Sequence, residues 1–211
     1  MENNIKVIEW EIDDVIGELR RISLVSEPAI EEDFLMFSGA KYMSFKTLDN
    51  EKRIITGPAM RADIKIPRRD ENGEIYYGYF SKDTVRKCAE LFFKTGSNMN
   101  KTNLEHEFEI DGVYAFESWL VENPEMDKSK SLGFSDVREG DWFVSMKVDN
   151  DAVWNNYLKT GIIKGFSVEV RAAEVEILSK IKDVLLSDVD DDTKWESLLN
   201  LLKKEKSDIL K

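Results

Sequence analysis

The sequence predicts an α+β protein in which short strands outnumber helices. Three observations lead there. Several runs rich in Val, Ile, Phe, Tyr and Trp are bounded by Gly, Pro, Asn and Asp, the pattern of strands and turns. One segment in the middle of the chain is an amphipathic helix with a start and a stop signal. The last 37 residues, 175–211, are highly charged, with leucines at helical intervals.

Taken in order, residues 5–12 (IKVIEWEI) and 19–25 (LRRISLV) read as two strands around a turn at Asp13, Asp14 and Gly17. Pro28, which has no N–H to give to a ladder, ends the second. Residues 31–50 read as a connection. Residues 52–66 read as a strand broken at Gly57-Pro58, and the turn residues 70–73 (DENG) precede a strand over residues 74–80. Ser81 is placed to cap a helix over residues 82–94 that Gly96 stops. On it Val85, Cys88, Ala89 and Phe92 share one face, so Cys88 reads as a small buried apolar residue.

Residues 104–110 and 113–121 read as two strands joined by Asp111-Gly112, a strong hairpin signal. After a loop over residues 123–140 comes a strand over 142–148. Asp149 or Asn150 caps a short helix ended by Gly161, and a strand returns over residues 162–171. Residues 1–174 are thus expected to form one domain, with the strands of residues 5–25 joining its sheet. Residues 175–211 form a charged helical tail, broken by the acidic stretch 187–192 and open to removal by proteolysis.

Composition narrows the function classes. The 211 residues carry a formal charge of -12, which argues against a nucleic-acid partner, because phosphate binding needs clustered Lys and Arg. One cysteine permits neither an internal disulfide nor a multi-cysteine zinc site. No apolar run reaches the length of a membrane span. The opening residues lack the basic-then-apolar order of a signal peptide, so the protein is expected to stay in the cell that makes it.

The chain has one histidine, His106, in TNLEHEFEI. If Asp111-Gly112 is a two-residue turn, His106 falls opposite Glu117, where a carboxylate would fix the imidazole tautomer. In GIIKGFSVEV, Phe166, Val168 and Val170 alternate with Ser167, Glu169 and Arg171, so Ser167 lies on the polar strand face beside Gly165. By the same alternation Glu105, Glu107 and Glu109 face away from His106 and do not converge with it on a metal. A calcium loop at Asp188, Asp190 and Asp192 is rejected, since Thr193 and Leu199 stand where Gly and Glu are needed. No metal or other cofactor is expected.

TNLEHE, FESWLVENP and GDWFVSMKVDNDAVWNNYLKTGIIKGFSVEV, in that order, resemble the prohead proteases of tailed phages, specifically the XkdF-like branch. ISLVSEPAIEEDF is similar to that branch's opening motif, and to the strand that other prohead proteases carry after their serine, here in permuted order. The resemblance covers roughly residues 18–174 and implies the herpesvirus-assemblin-like fold, a mainly antiparallel β-barrel with a few surrounding helices. It implies Ser167 as nucleophile and His106 as general base. The third member is left open by the resemblance; Glu117 follows from the hairpin register, with Glu169 and Glu18 as alternatives. The implied substrates are the phage scaffold and major capsid protein, cleaved inside the procapsid, with self-processing and self-association. A catalytically silent assembly module of the same fold is the competing reading. An unrelated hydrolase is disfavoured, because the context KGFSVEV is no G-x-S-x-G elbow.

Overall fold

The computed structural model describes residues 6–12, 18–26, 46–49, 52–70, 72–97, 102–171 and 173–209. Among these, the strands hydrogen-bond into three four-stranded sheets. The first is ordered β12 (Ala173–Glu174), β1 (Val7–Glu11), β6 (Ile75–Phe80) and β5 (Ile66–Arg69). The second runs β3 (Lys46–Asp49), β4 (Ile54–Met60), β10 (Trp142–Val148) and β9 (Val113–Leu120). The third runs β11 (Gly165–Arg171), β2 (Glu18–Val25), β7 (Thr102–Leu104) and β8 (Phe108–Ile110). The mixed α+β class holds, but the sheets are not hydrogen-bonded into a closed barrel.

Helix α1 (Lys82–Lys94) forms as its signals predict. Ser81 Oγ accepts from the Thr84 N–H at 3.4 Å, and Val85, Cys88, Ala89 and Phe92 are buried on one face. Phe92 meets Trp142 edge-on at 5.4 Å between ring centres. That face joins Ile22, Leu24, Ile55, Val144, Met146, Trp154 and Phe166 in the main core. Asn150 caps helix α3 (Asp151–Val153), which continues as a π-helical turn, Trp154–Leu158, before the chain enters β11.

Two expectations along the chain need correction. Gly57-Pro58 does not break its strand: Pro58 pairs with Phe143 inside β4. The proline is tolerated because, among the described residues, β3 covers only Ile54 to Thr56, and because β10 shifts register between Trp142 and Phe143. Residues 104–110 are not one strand. They form the β7–β8 hairpin, with Leu104 opposite Phe108 and a turn at Glu105 to Glu107. Asp111-Gly112 then carries the chain to another sheet, so β8 and β9 are not paired. Gly112, at φ +73°, is held there by Asn150: the Asp149 N–H donates to the Gly112 carbonyl at 2.7 Å and Asn150 Nδ2 to the Asp111 carbonyl at 3.0 Å.

The turn at Asp13, Asp14 and Gly17, the strand end at Pro28 and most of the connection over residues 31–50 lie outside the described residues. Near the C-terminus, α4 (Val175–Leu186) lies beside β1 and β12, and α5 (Asp191–Ile209) lies against α4. Asp190 caps α5, its carboxylate accepting from the Thr193 N–H at 2.9 Å.

Candidate active site

The third sheet places the candidate residues. Ile22 and Leu24 of β2, Leu104 of β7 and Phe166 of β11 belong to the core, so alternation turns Ser23, Asn103 and Ser167 to the opposite face. The register then aligns them. Ser167 is the antiparallel partner of Ser23, and Ser23 is the parallel partner of Asn103, which is opposite Glu109 on β8. One row of side chains thus crosses all four strands. Direct partners stand about 5 Å apart at Cβ.

His106 enters this row from the β7–β8 turn. Glu105 and His106 adopt φ +52° and +62°, and the Glu107 N–H donates to the Leu104 carbonyl at 3.0 Å. Two successive left-handed residues are the mark of a tight hairpin turn, normally given to Asn and Gly. Here a glutamate and a histidine hold it at a cost of about 1–2 kcal/mol each. The turn is fastened to the end of β2: the Glu105 N–H donates to the Leu24 carbonyl at 3.0 Å, and Glu105 Oε1 accepts from the Ser26 N–H at 2.7 Å. So anchored, the exposed imidazole sets its Nδ1 3.0 Å from Ser23 Oγ. Ser23 itself is fully buried, whereas Ser167 is half-buried.

Two of the carboxylates expected to serve His106, Glu117 and Glu169, are engaged elsewhere. The register that would set Glu117 opposite His106 is not formed, because the turn at Glu105 to Glu107 interrupts the strand and β9 belongs to another sheet. Glu117 instead accepts from Lys128 Nζ at 2.5 Å and from Ser145 Oγ at 2.8 Å. The Lys128 hydrogen bond holds its carboxyl below the usual carboxylate range, against a smaller opposing effect of burial. Ser145 in turn accepts from Thr56 at 2.8 Å, making a second polar row, across β4, β10 and β9. Glu169 lies 3.0 Å from Arg21 Nε, a charge contact whose angle falls short of a hydrogen bond, and Arg21 also binds Glu109 at 2.7 Å. Glu18 begins β2 opposite Arg171, but its side chain lies outside the described residues.

The alternation argument that separated Glu105, Glu107 and Glu109 from His106 fails with the strand it assumed. Among the described residues no cluster of His, Cys, Asp and Glu has the makings of a metal site. Cys88 is buried on the inner face of α1, and that burial pushes its thiol up to about 12, too high for a nucleophile. No helix among the described residues is long and apolar enough to cross a membrane.

Ser23 and Asn103 were missed as site residues by sequence reasoning. The signal was present in LRRISLV, where Ser23 alternates with Ile22 and Leu24 as Ser167 does with Phe166 and Val168. Only the pairing of β2 between β11 and β7 brings the two serines together.

The family described as "Putative phage serine protease XkdF" matches residues 43–176, well over half of the chain. The match contains Asn103, His106 and Ser167; Ser23 precedes it. No curated protein and no solved structure matches the chain.

Proposed function

Because the chain belongs to the family of the phage serine protease XkdF, we propose that it is a serine endopeptidase of phage head maturation, with Ser167 as nucleophile and His106 as general base. The observation that carries this reading is the convergence of both residues on Ser23: Ser167 opposes it across the sheet, and His106 contacts it from the turn. Ser167 is the serine that substrate can reach, since Ser23 has no exposed surface.

In this mechanism Ser167 Oγ attacks the scissile carbonyl carbon while His106 Nε2 takes its proton. The proton passes to the leaving amine as the peptide bond breaks, giving an acyl-enzyme. Water then attacks the ester, losing a proton to His106, which passes it to Ser167 Oγ as the acyl C–O bond breaks and the acid product leaves. The gap between imidazole and Ser167 hydroxyl closes in the substrate complex, as catalytic hydrogen bonds often do.

The substrates in this reading are scaffold and major capsid protein inside the procapsid, and an assemblin-like barrel is the fold it places the sheets in. Coexpression with the phage's own scaffold and capsid proteins tests it, with mass spectrometry of the products. Wild type should cut at discrete positions and Ser167→Ala should not. Undiminished cutting by Ser167→Ala would show that Ser167 is not the nucleophile.

A further inference from the structure

A histidine base needs its far nitrogen held, so that the tautomer with a free Nε2 is the populated one. A carboxylate is the usual holder, yet Glu117, Glu169, Glu105 and Glu109 are bound to Lys128 and Ser145, Arg21, Ser26 and Arg21 respectively. What does lie at Nδ1 is a serine hydroxyl, Ser23 Oγ, at 3.0 Å. That hydroxyl is fully buried, so water does not reach it.

The direction of that bond follows from the role of the ring. A base that works through Nε2 carries its own proton on Nδ1, so the Ser23 hydroxyl is the acceptor. The reverse orientation, Ser23 donating to Nδ1, would put the imidazole proton on Nε2, the wrong place for a base.

We propose that Ser23 is the positioning residue of this site: its buried hydroxyl accepts from His106 Nδ1–H and leaves Nε2 free for Ser167. This rests on the protease reading for its catalytic consequence, but the tautomer can be measured without any substrate. A neutral hydroxyl takes the role of the carboxylate. It fixes the ring's orientation and proton but gives the imidazolium less charge stabilisation than an acid would.

The test uses the fact that His106 is the only histidine in the chain. In the full-length protein prepared without a histidine tag, ¹⁵N-imidazole NMR above the titration of the ring reads one residue unambiguously. Wild type should show the Nδ1–H tautomer. Ser23→Ala should move the population toward Nε2–H, and Ser23→Thr, which keeps the hydroxyl, should restore Nδ1–H. Ser167→Ala should leave the tautomer as in wild type. In the cleavage assay Ser23→Ala should lower kcat roughly 10- to 100-fold with KM little changed, the loss expected for one buried hydrogen bond. An Nε2–H tautomer in wild type, or a tautomer indifferent to Ser23→Ala, overturns the proposal, even if Ser167→Ala proves inactive. Conversely, the expected tautomers together with an active Ser167→Ala would support the hydrogen bond and refute the choice of nucleophile.

Discussion

Ser23 and Ser167 stand directly opposite each other across β2 and β11, one fully buried and the other half-buried. Each is flanked by apolar residues that face the core, so neither side chain supports packing there. Ser167→Ala should therefore abolish cleavage of capsid or scaffold protein while the melting temperature stays within a few degrees of wild type. Thermal denaturation followed by circular dichroism, alongside the cleavage assay, checks both halves.

His106 makes a different prediction, because its backbone is in the left-handed region at φ +62°. Glycine reaches that region freely and alanine does not, a difference of about 1–2 kcal/mol before glycine's greater unfolded-state entropy is counted. Both His106→Ala and His106→Gly should be inactive. His106→Gly should unfold at the higher urea concentration of the two. The opposite order would mean that the turn relaxes when the imidazole is removed.

These cases mark what the sequence made legible. The alternation around Ser167, the cap at Ser81 and the buried face of α1 are local patterns, and the structure carries all three. The position of His106 depends on a turn made by Glu105 and His106, residues that rarely adopt positive φ. No local signal announces such a turn, while Asp111-Gly112 nearby announces one strongly; here it redirects the chain to another sheet instead of closing a hairpin. The place of Ser23 depends on long-range pairing of β2 with β7 and β11, which one sequence does not encode in any readable pattern.

Glu117 should prove a stability residue. Its carboxyl, hydrogen-bonded by Lys128 and Ser145, is held below its ordinary value of 4.5. A depressed carboxylate contributes stability that is present above the unfolded value and lost as pH falls through the lower folded one. Glu117→Gln should accordingly melt below wild type at pH ~7, with the difference shrinking below pH ~4. Cleavage per folded molecule should be little changed. A collapse of kcat with unaltered stability would return Glu117 to the catalytic group.

The two C-terminal helices should differ in what their loss costs. Strand β12 pairs with β1, and α4 lies beside both, whereas α5 lies against α4 and exposes Trp195 and Leu199. Deleting residues 191–211 should leave a soluble, cooperatively unfolding protein. Deleting residues 176–211 should lower the urea midpoint further, because it uncovers β1. Equal midpoints for the two truncations would make the whole of residues 176–211 the separable tail.

The central claim is that Ser167, activated by His106, forms the covalent intermediate. Labelling the wild-type protein with an alkyl fluorophosphonate, followed by peptide mapping, tests it most directly, because the reagent modifies an activated serine far faster than an ordinary one. Modification is predicted at Ser167 alone, lost in Ser167→Ala and in His106→Ala. Modification at Ser23, or labelling that persists in Ser167→Ala, would contradict it.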